Sequence, residues 1–187
     1  MERIARLAAG ARSVEGQAVK ASLNCFAVIK HFESCELKAY PDPKTGGAPW
    51  TCGWGATGPA IGPDAIWTQE QADKRLAWDV ALRESDANNA ITVPIEQGQF
   101  DAFVSILFNV GHGSPARDGI IRLKSAYPST LLRLLNARDY DGARMQFGRW
   151  ISPGSNVERG LRRRRVAEQA LWRGLDAAEA IALGEAA

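Results

Sequence analysis

The sequence lacks the features that would announce a membrane-spanning, metal-dependent or redox protein. No apolar run within its 187 residues reaches the ~18 that a bilayer-crossing helix needs. Histidine occurs only at His31 and His112, and cysteine only at Cys25, Cys35 and Cys52. These residues lack metal-ligand spacing, so no metal and no other cofactor is expected. They form neither a CxxC pair nor an even disulfide set. The thiols read as small buried hydrophobes, with a Cys35–Cys52 bridge left open. Excess charge of one sign is missing too: 23 basic residues face 21 acidic ones. A net charge of +2 does not by itself select nucleic acid, and any basic patch must be local. Repeats and low-complexity segments are absent. The first ten residues carry charge but no apolar stretch of signal-peptide length. The protein is therefore expected to have no signal peptide or transmembrane segment, and to stay in the cytoplasm until something releases it.

What is present is the material of a globular domain. Hydrophobic residues make up 45% and charged residues 24%, enough for one core, in one lobe or two. Val19, Leu23, Phe26, Ile29 and Phe32 recur three or four apart and predict one helical face ending near Glu33. From Tyr40 to Pro63 the chain is crowded with proline and glycine, which forbid a long helix. Trp50, Thr51, Cys52 and Trp54 among those breakers suit short strands, hence a small twisted hairpin. Thr68 with Gln71 has the form of a capping box, and Leu76, Val80 and Ala81 extend the helix it opens. A strongly apolar helix carries Phe100, Phe103, Val104, Leu107 and Val110 and stops at Gly111. Shorter helices are predicted after Ser129 and after Asp139, and a last one from about Glu158. The predicted class is α+β, predominantly helical: a small β-hairpin lobe beside a larger helical lobe, with a cleft between them as the binding site. Residues 1–20 form a segment without an assigned role, 21–174 the folded domain, and 175–187 an Ala-rich tail expected to fray.

Two carboxylates stand out. Glu33 falls at the end of the first helix, beside its apolar face. Burial and the negative end of the helix dipole both disfavour its charged form, which suits a general acid near neutral pH. Asp42, between Pro41 and Pro43, sits in a more solvated loop and should be ionised. One protonated and one ionised carboxyl in different environments is the arrangement glycoside hydrolysis uses.

The string from Ile29 to Asp42, with Phe32-Glu33-Ser34 and Ala39-Tyr40-Pro41-Asp42, resembles the signature of phage-type lysozymes. These are the bacteriophage endolysins and muramidases of glycoside hydrolase family 24. The resemblance continues through Thr51-Cys52-Gly53-Trp54-Gly55, Gln97 to Ser105, Phe108-Asn109-Val110-Gly111, Phe147 to Trp150, and Gly160 to Trp172. Several spaced motifs in the right order are far more specific than one. The resemblance implies a lysozyme-like fold and cleavage of the β-1,4 bond between N-acetylmuramic acid and N-acetylglucosamine in peptidoglycan. It implies Glu33 as general acid, Asp42 as the carboxylate that positions water or stabilises positive charge, and Thr51 as a holder of that water. Two departures bear on this: Ser34 stands where the family has glycine, and the stretch between Asp42 and Thr51 is long. Thr45 and Thr57 are therefore rivals for the role of Thr51.

Trp50 and Trp54 are candidates to stack on sugar or to pack beneath the hairpin. Gln99 and Asn109, ten residues apart, are candidates to bond substrate acetamido or hydroxyl groups, or to cap and face solvent. Arg162 to Arg165, backed by Arg149, Arg159 and Arg173, could attract anionic wall polymer. Successive helical positions cannot all face one ligand, so some of these arginines must be solvated or ion-paired. A zinc amidase would need more ligands than the chain offers. The remaining alternatives are a lytic transglycosylase, which needs a single acid, and a non-catalytic wall-binding module. Nucleic-acid binding would need aromatic or base-reading partners beside the arginine run, and these are absent. The resemblance implies release to the periplasm through a holin, and the protein is expected to be a monomer without stable membrane insertion.

Overall fold

The structure, a computed structural model, describes residues 18–43 and 45–187. Most of the N-terminal segment 1–20 therefore lies outside the described residues. The chain forms two compact units. One is continuous, Ile29–Leu82; the other joins the stretch ending at Val28 to Arg83–Ala187.

In the continuous unit, β1 (Glu36–Pro41), β2 (Trp50–Gly53) and β3 (Ala56–Thr57) form an antiparallel sheet in that order. Tyr40 pairs with Thr51, Pro41 with Trp50, Thr51 with Thr57, and Cys52 with Ala56. Alternation along the strands then sorts the side chains. Ala39, Cys52 and Ala56 cluster with Ile61 on one face, where Trp50, Ala65 and Trp67 pack against them. Tyr40, Thr51 and Thr57 belong to the other face. The strands turn at Gly53, whose φ of +64° favours glycine and where a Cβ would lie 2.9 Å from the Trp67 ring.

The helix α1 (Leu23–Phe32) starts from Ser22, whose hydroxyl accepts from Asn24 N. Asp101 in turn accepts from both the backbone N–H and the hydroxyl of Ser22. The apolar face of α1 is rotated from the one the spacing predicts: Cys25, Val28 and Ile29 are buried, whereas Leu23 is 87% exposed. Leu23 occupies the first turn, so its side chain leans back past the start of the helix. The helix α2 (Gln69–Ala90) opens with the predicted box: Thr68 N donates to Gln71 Oε1 at 2.8 Å, and Gln71 N to Thr68 Oγ1 at 3.2 Å. It buries Ala72, Leu76, Val80 and Ala87, and Ala81 turns outward. That face follows a period of 3.6, which carries position 81 off the stripe set by 76 and 80.

The second unit is helical. The helix α3 (Gln97–Val110) is buried from Phe100 to Leu107 and ends at Gly111, where φ is +93°. Phe108, next to the buried Leu107, is half-buried. Next come α4 (Thr130–Asn136), capped by Ser129, and α5 (Tyr140–Met145), capped by Asp139. A single 3₁₀ turn, Phe147–Arg149, separates α5 from α6 (Glu158–Trp172). The tail expected to fray instead forms α7 (Ala177–Glu185). A capping box between Asp176 and Glu179 starts it, Ala180 is buried, and Ala177 N donates to Asn24 Oδ1 at 3.1 Å.

All three thiols are free; Cys25 and Cys52 are buried and Cys35 half-buried. Burial pushes the Cys25 thiol well above its ordinary pKa, which keeps it inert.

The arginine run is divided by the geometry of α6. Arg162 pairs with Glu158 at 2.7 Å and Arg163 with Glu185 at 2.8 Å. Arg164 and Arg165 turn inward, only 2% and 1% exposed, onto a fully buried Glu168. One Glu168 oxygen accepts from Ser105 Oγ at 2.8 Å, Arg164 Nε at 3.2 Å and Arg165 Nη2 at 3.0 Å. The other lies 2.8 Å from Arg165 Nε. Removing one partner from such a cluster strands the others in a dry interior. Glu168→Gln is accordingly expected to lower unfolding free energy by about 3–5 kcal/mol, read from urea denaturation.

Candidate active site

Glu33 is the residue immediately after α1, and its backbone N donates to Ile29 O at 3.0 Å, closing the last turn. Ser34 is not among the residues with positive φ, so the chain leaves the helix there without the left-handed step that the family's glycine would make. Glu33 is half-buried, with Oε2 3.7 Å from where a Cβ on Gly55 would stand. The turn after β2 therefore passes directly beside the carboxyl group, and glycine leaves that space open.

Asp42 follows β1 directly. Its backbone N donates to Gly47 O at 3.0 Å, and its carbonyl accepts from Thr45 N at 3.1 Å and Gly46 N at 2.8 Å. These bonds close the loop on itself and fix where Asp42 emerges. The Pro41–Trp50 pairing puts Asp42 one residue from the end of the ladder and Thr51 on the adjacent strand. Thr51 is half-buried, and its hydroxyl has no hydrogen-bond partner among the described residues. Its rivals differ. Thr45 Oγ1 donates to Ala48 O at 3.1 Å and so serves its own turn, whereas Thr57 is exposed at the sheet edge.

The loop positions are moored by a group that sequence reasoning missed. One oxygen of Asp73, on α2, lies 2.8 Å from Lys30 Nζ, and accepts from Trp54 Nε1 at 2.8 Å and Gln69 Nε2 at 3.1 Å. Lys30 also sits 5.2 Å from the centroid of the Trp54 ring. The bond from Lys30, then that from Trp54, hold the Asp73 carboxyl below the usual carboxylate pKa. Lys30 is one turn before Glu33, and Trp54 lies between Gly53 and Gly55, so this node ties the helix end to the hairpin turn. Only Gln69 and Asp73 have a local signal, as an i,i+4 pair on one helix. Nothing in the sequence joins them to Lys30 and Trp54.

The other candidates are placed as follows. Trp50 packs against the Ala39–Cys52–Ala56 cluster. Gln99 and Asn109 lie at opposite ends of α3, and the structure does not bring them together. Gln99 Oε1 accepts from Glu96 N at 3.1 Å as part of the helix cap. Asn109 Oδ1 accepts from Arg165 Nη2 at 3.1 Å, and the residue lines a cavity of about 430 Å³. Glu33, Asp42, Thr51, Trp50 and Trp54 all belong to the continuous unit, Gln99 and Asn109 to the helical one.

The sequence profile of phage lysozymes matches residues 30–168. The chain belongs to the phage lysozyme family. An endolysin of Acyrthosiphon pisum secondary endosymbiont phage 1 is 38% identical over 149 residues, covering 78% of this chain and 92% of that one. An endolysin of Bacillus phage PZA is 37% identical over 145 residues; there the matched region spans 52% of the relative, about half its length. Among solved structures, the muramidase domain of SpmX from Asticaccaulis excentricus superposes with a TM-score of 0.67 at 30% identity. That match covers 82% of this chain and 97% of the domain. The family accounts for the α+β fold with its small antiparallel sheet, and it makes this lysozyme a glycoside hydrolase of the muramidase kind.

The Asp73 node has a measurable pH signature. Its folded pKa is depressed, so its contribution is complete above the unfolded value of about 3.9 and is lost as pH falls through the folded value. The side chain is 40% exposed, so solvent screening limits the contribution to about 0.5 kcal/mol. Asp73→Asn should unfold slightly earlier than wild type at pH 7, and this gap should close in acid when melting curves are compared between pH 7 and pH 2.

Proposed function

We infer that the chain hydrolyses the β-1,4 bond between N-acetylmuramic acid and N-acetylglucosamine in peptidoglycan, as an endolysin that lyses the host cell. The observation that carries this reading is the placement of Glu33, Asp42 and Thr51 within one compact unit of a chain belonging to the phage lysozyme family. Glu33 protonates the glycosidic oxygen as the bond to the anomeric carbon breaks. Positive charge then develops on the sugar, and the Asp42 carboxylate stabilises it or orients water towards it. The Thr51 hydroxyl holds that water; its lack of a partner among the described residues supports the assignment over Thr45. Trp54, oriented by its bond to Asp73, offers a ring face to the saccharide. Trp50 acts from beneath, supporting the strand that carries Thr51. Gln99 and Asn109 contribute hydrogen bonds to substrate from α3.

A lytic transglycosylase would cleave the same bond with one acid and no water. The Asp42 and Thr51 positions favour the hydrolytic route. Mass spectrometry of released muropeptides separates the two, because hydrolysis leaves reducing ends and the alternative leaves anhydro sugars. Glu33→Gln is expected to stay folded and to clear wall suspensions at least about a hundredfold more slowly, since a positioned acid contributes on the order of 10²–10⁴ to rate. Clearance at wild-type rate by a folded Glu33→Gln protein would remove this residue from the mechanism.

No described helix is long and apolar enough to cross a membrane. We propose that the enzyme acts as a monomer and reaches the wall after a holin-type partner opens the inner membrane. Expression in a Gram-negative host should then lyse cells only when a holin is supplied. Sedimentation of the purified protein should give the monomer mass.

A further inference from the structure

The mechanism leaves the buried charge cluster of the helical unit unused, and that cluster reaches a cavity. Arg165 is 1% exposed and is anchored through Nη2 and Nε to Glu168. The same Nη2 donates to Asn109 Oδ1 at 3.1 Å. A guanidinium has donors and no acceptor, so this contact fixes which way the amide points: oxygen towards Arg165, Nδ2 away from it. No hydrogen-bond partner for Nδ2 exists among the described residues. Asn109 is half-buried and lines the 430 Å³ cavity together with Arg117, Arg149, Trp150 and Ser152.

We propose that Arg165 is a positioning residue that holds the Asn109 amide with its N–H donor turned to the cavity, where it binds an amide carbonyl of the substrate. The inference rests on the muramidase reading above. It deepens that reading by naming the chemistry the donor selects. A free asparagine can present either end of its amide, and would accept from a hydroxyl as readily as donate to a carbonyl. Locked by a cation that cannot accept, it can only donate. Peptidoglycan supplies amide carbonyls from two sources, the acetamido groups of the sugars and the peptide stem.

The decisive variant is Asn109→Asp. A carboxylate still accepts from Arg165, so the cluster keeps its partner and the protein should melt within about 2 °C of wild type, a margin smaller than a 1 kcal/mol change produces. It has no donor to offer, so the apparent KM on wall suspensions should rise about tenfold with kcat within about twofold. Arg165→Lys should raise KM in the same direction, because one ammonium cannot serve Glu168 in two places and Asn109 as well. A folded Asn109→Asp protein with wild-type KM would overturn the proposal.

Should that variant fail to fold, the wild-type protein carries the test. The side-chain amide resonances of Asn109 are followed by NMR during titration with triacetylchitotriose, and separately with a purified disaccharide–tetrapeptide muropeptide. A shift with both probes assigns the carbonyl to an acetamido group, and a shift with the muropeptide alone assigns it to the stem. Resonances unmoved at saturation by either probe overturn the proposal. Failure of the muramidase reading looks different, since wild-type enzyme would then release no wall fragments at all.

Discussion

A single carboxylate oxygen organises the turn beside Glu33. Asp73 Oδ1 receives Lys30, Trp54 and Gln69, three donors from three segments. It adds hydrogen bonds to the Lys30–Trp54 ring contact that already links the end of α1 to the turn at Gly53–Gly55. With it, the residue before the first strand and the turn after the second are referred to one point. The general acid proposed at Glu33 needs such a reference, because a displacement of an ångström costs rate steeply. The node is partly open to solvent, so it is a weak contributor to stability and a strong constraint on geometry.

The arginine-rich helix makes the complementary point. Four successive cations look like a docking surface when written in a row. Wound into α6 they go in different directions: two engage carboxylates open to solvent at least in part, and two enter the core. The inward pair is held by Glu168 and Ser105, and the cost of burying three charges is offset by their mutual pairing and by three bonds onto one Glu168 oxygen.

How far the sequence could be read depended on the range of the forces involved. The capping box at Thr68, the caps at Ser129 and Asp139, and the stop at Gly111 were legible because each is set by neighbours within one turn. The hairpin was legible because glycine and proline punctuate it. The buried face of α1 was not, since Leu23 keeps the helical spacing yet faces solvent, and only the packing partners decide which stripe is covered. The tail was misread for a similar reason: an Ala-rich segment is a weak helix alone, and α7 persists because α6 and Asn24 hold it. Glu33, Asp42 and Thr51 were singled out through local motif, whereas the Asp73 node was invisible because its partners are distant in the chain. The use of Gln99 Oε1 in the cap of α3 was not legible, because its partner Glu96 carries no distinctive cap signal.

The bond between Ala177 N and Asn24 Oδ1 joins residues 153 positions apart, with the continuous unit threaded between the two pieces of the helical one. A ribosome delivers Ile29–Leu82 as an unbroken stretch well before the last helices exist. The sheet, with Glu33 and Asp42 beside it, can therefore assemble early, while the opening turn of α1 waits for α7 before it finds its mate. The helical unit closes only once α7 has emerged, and nascent chains halted short of α7 would leave it unsealed.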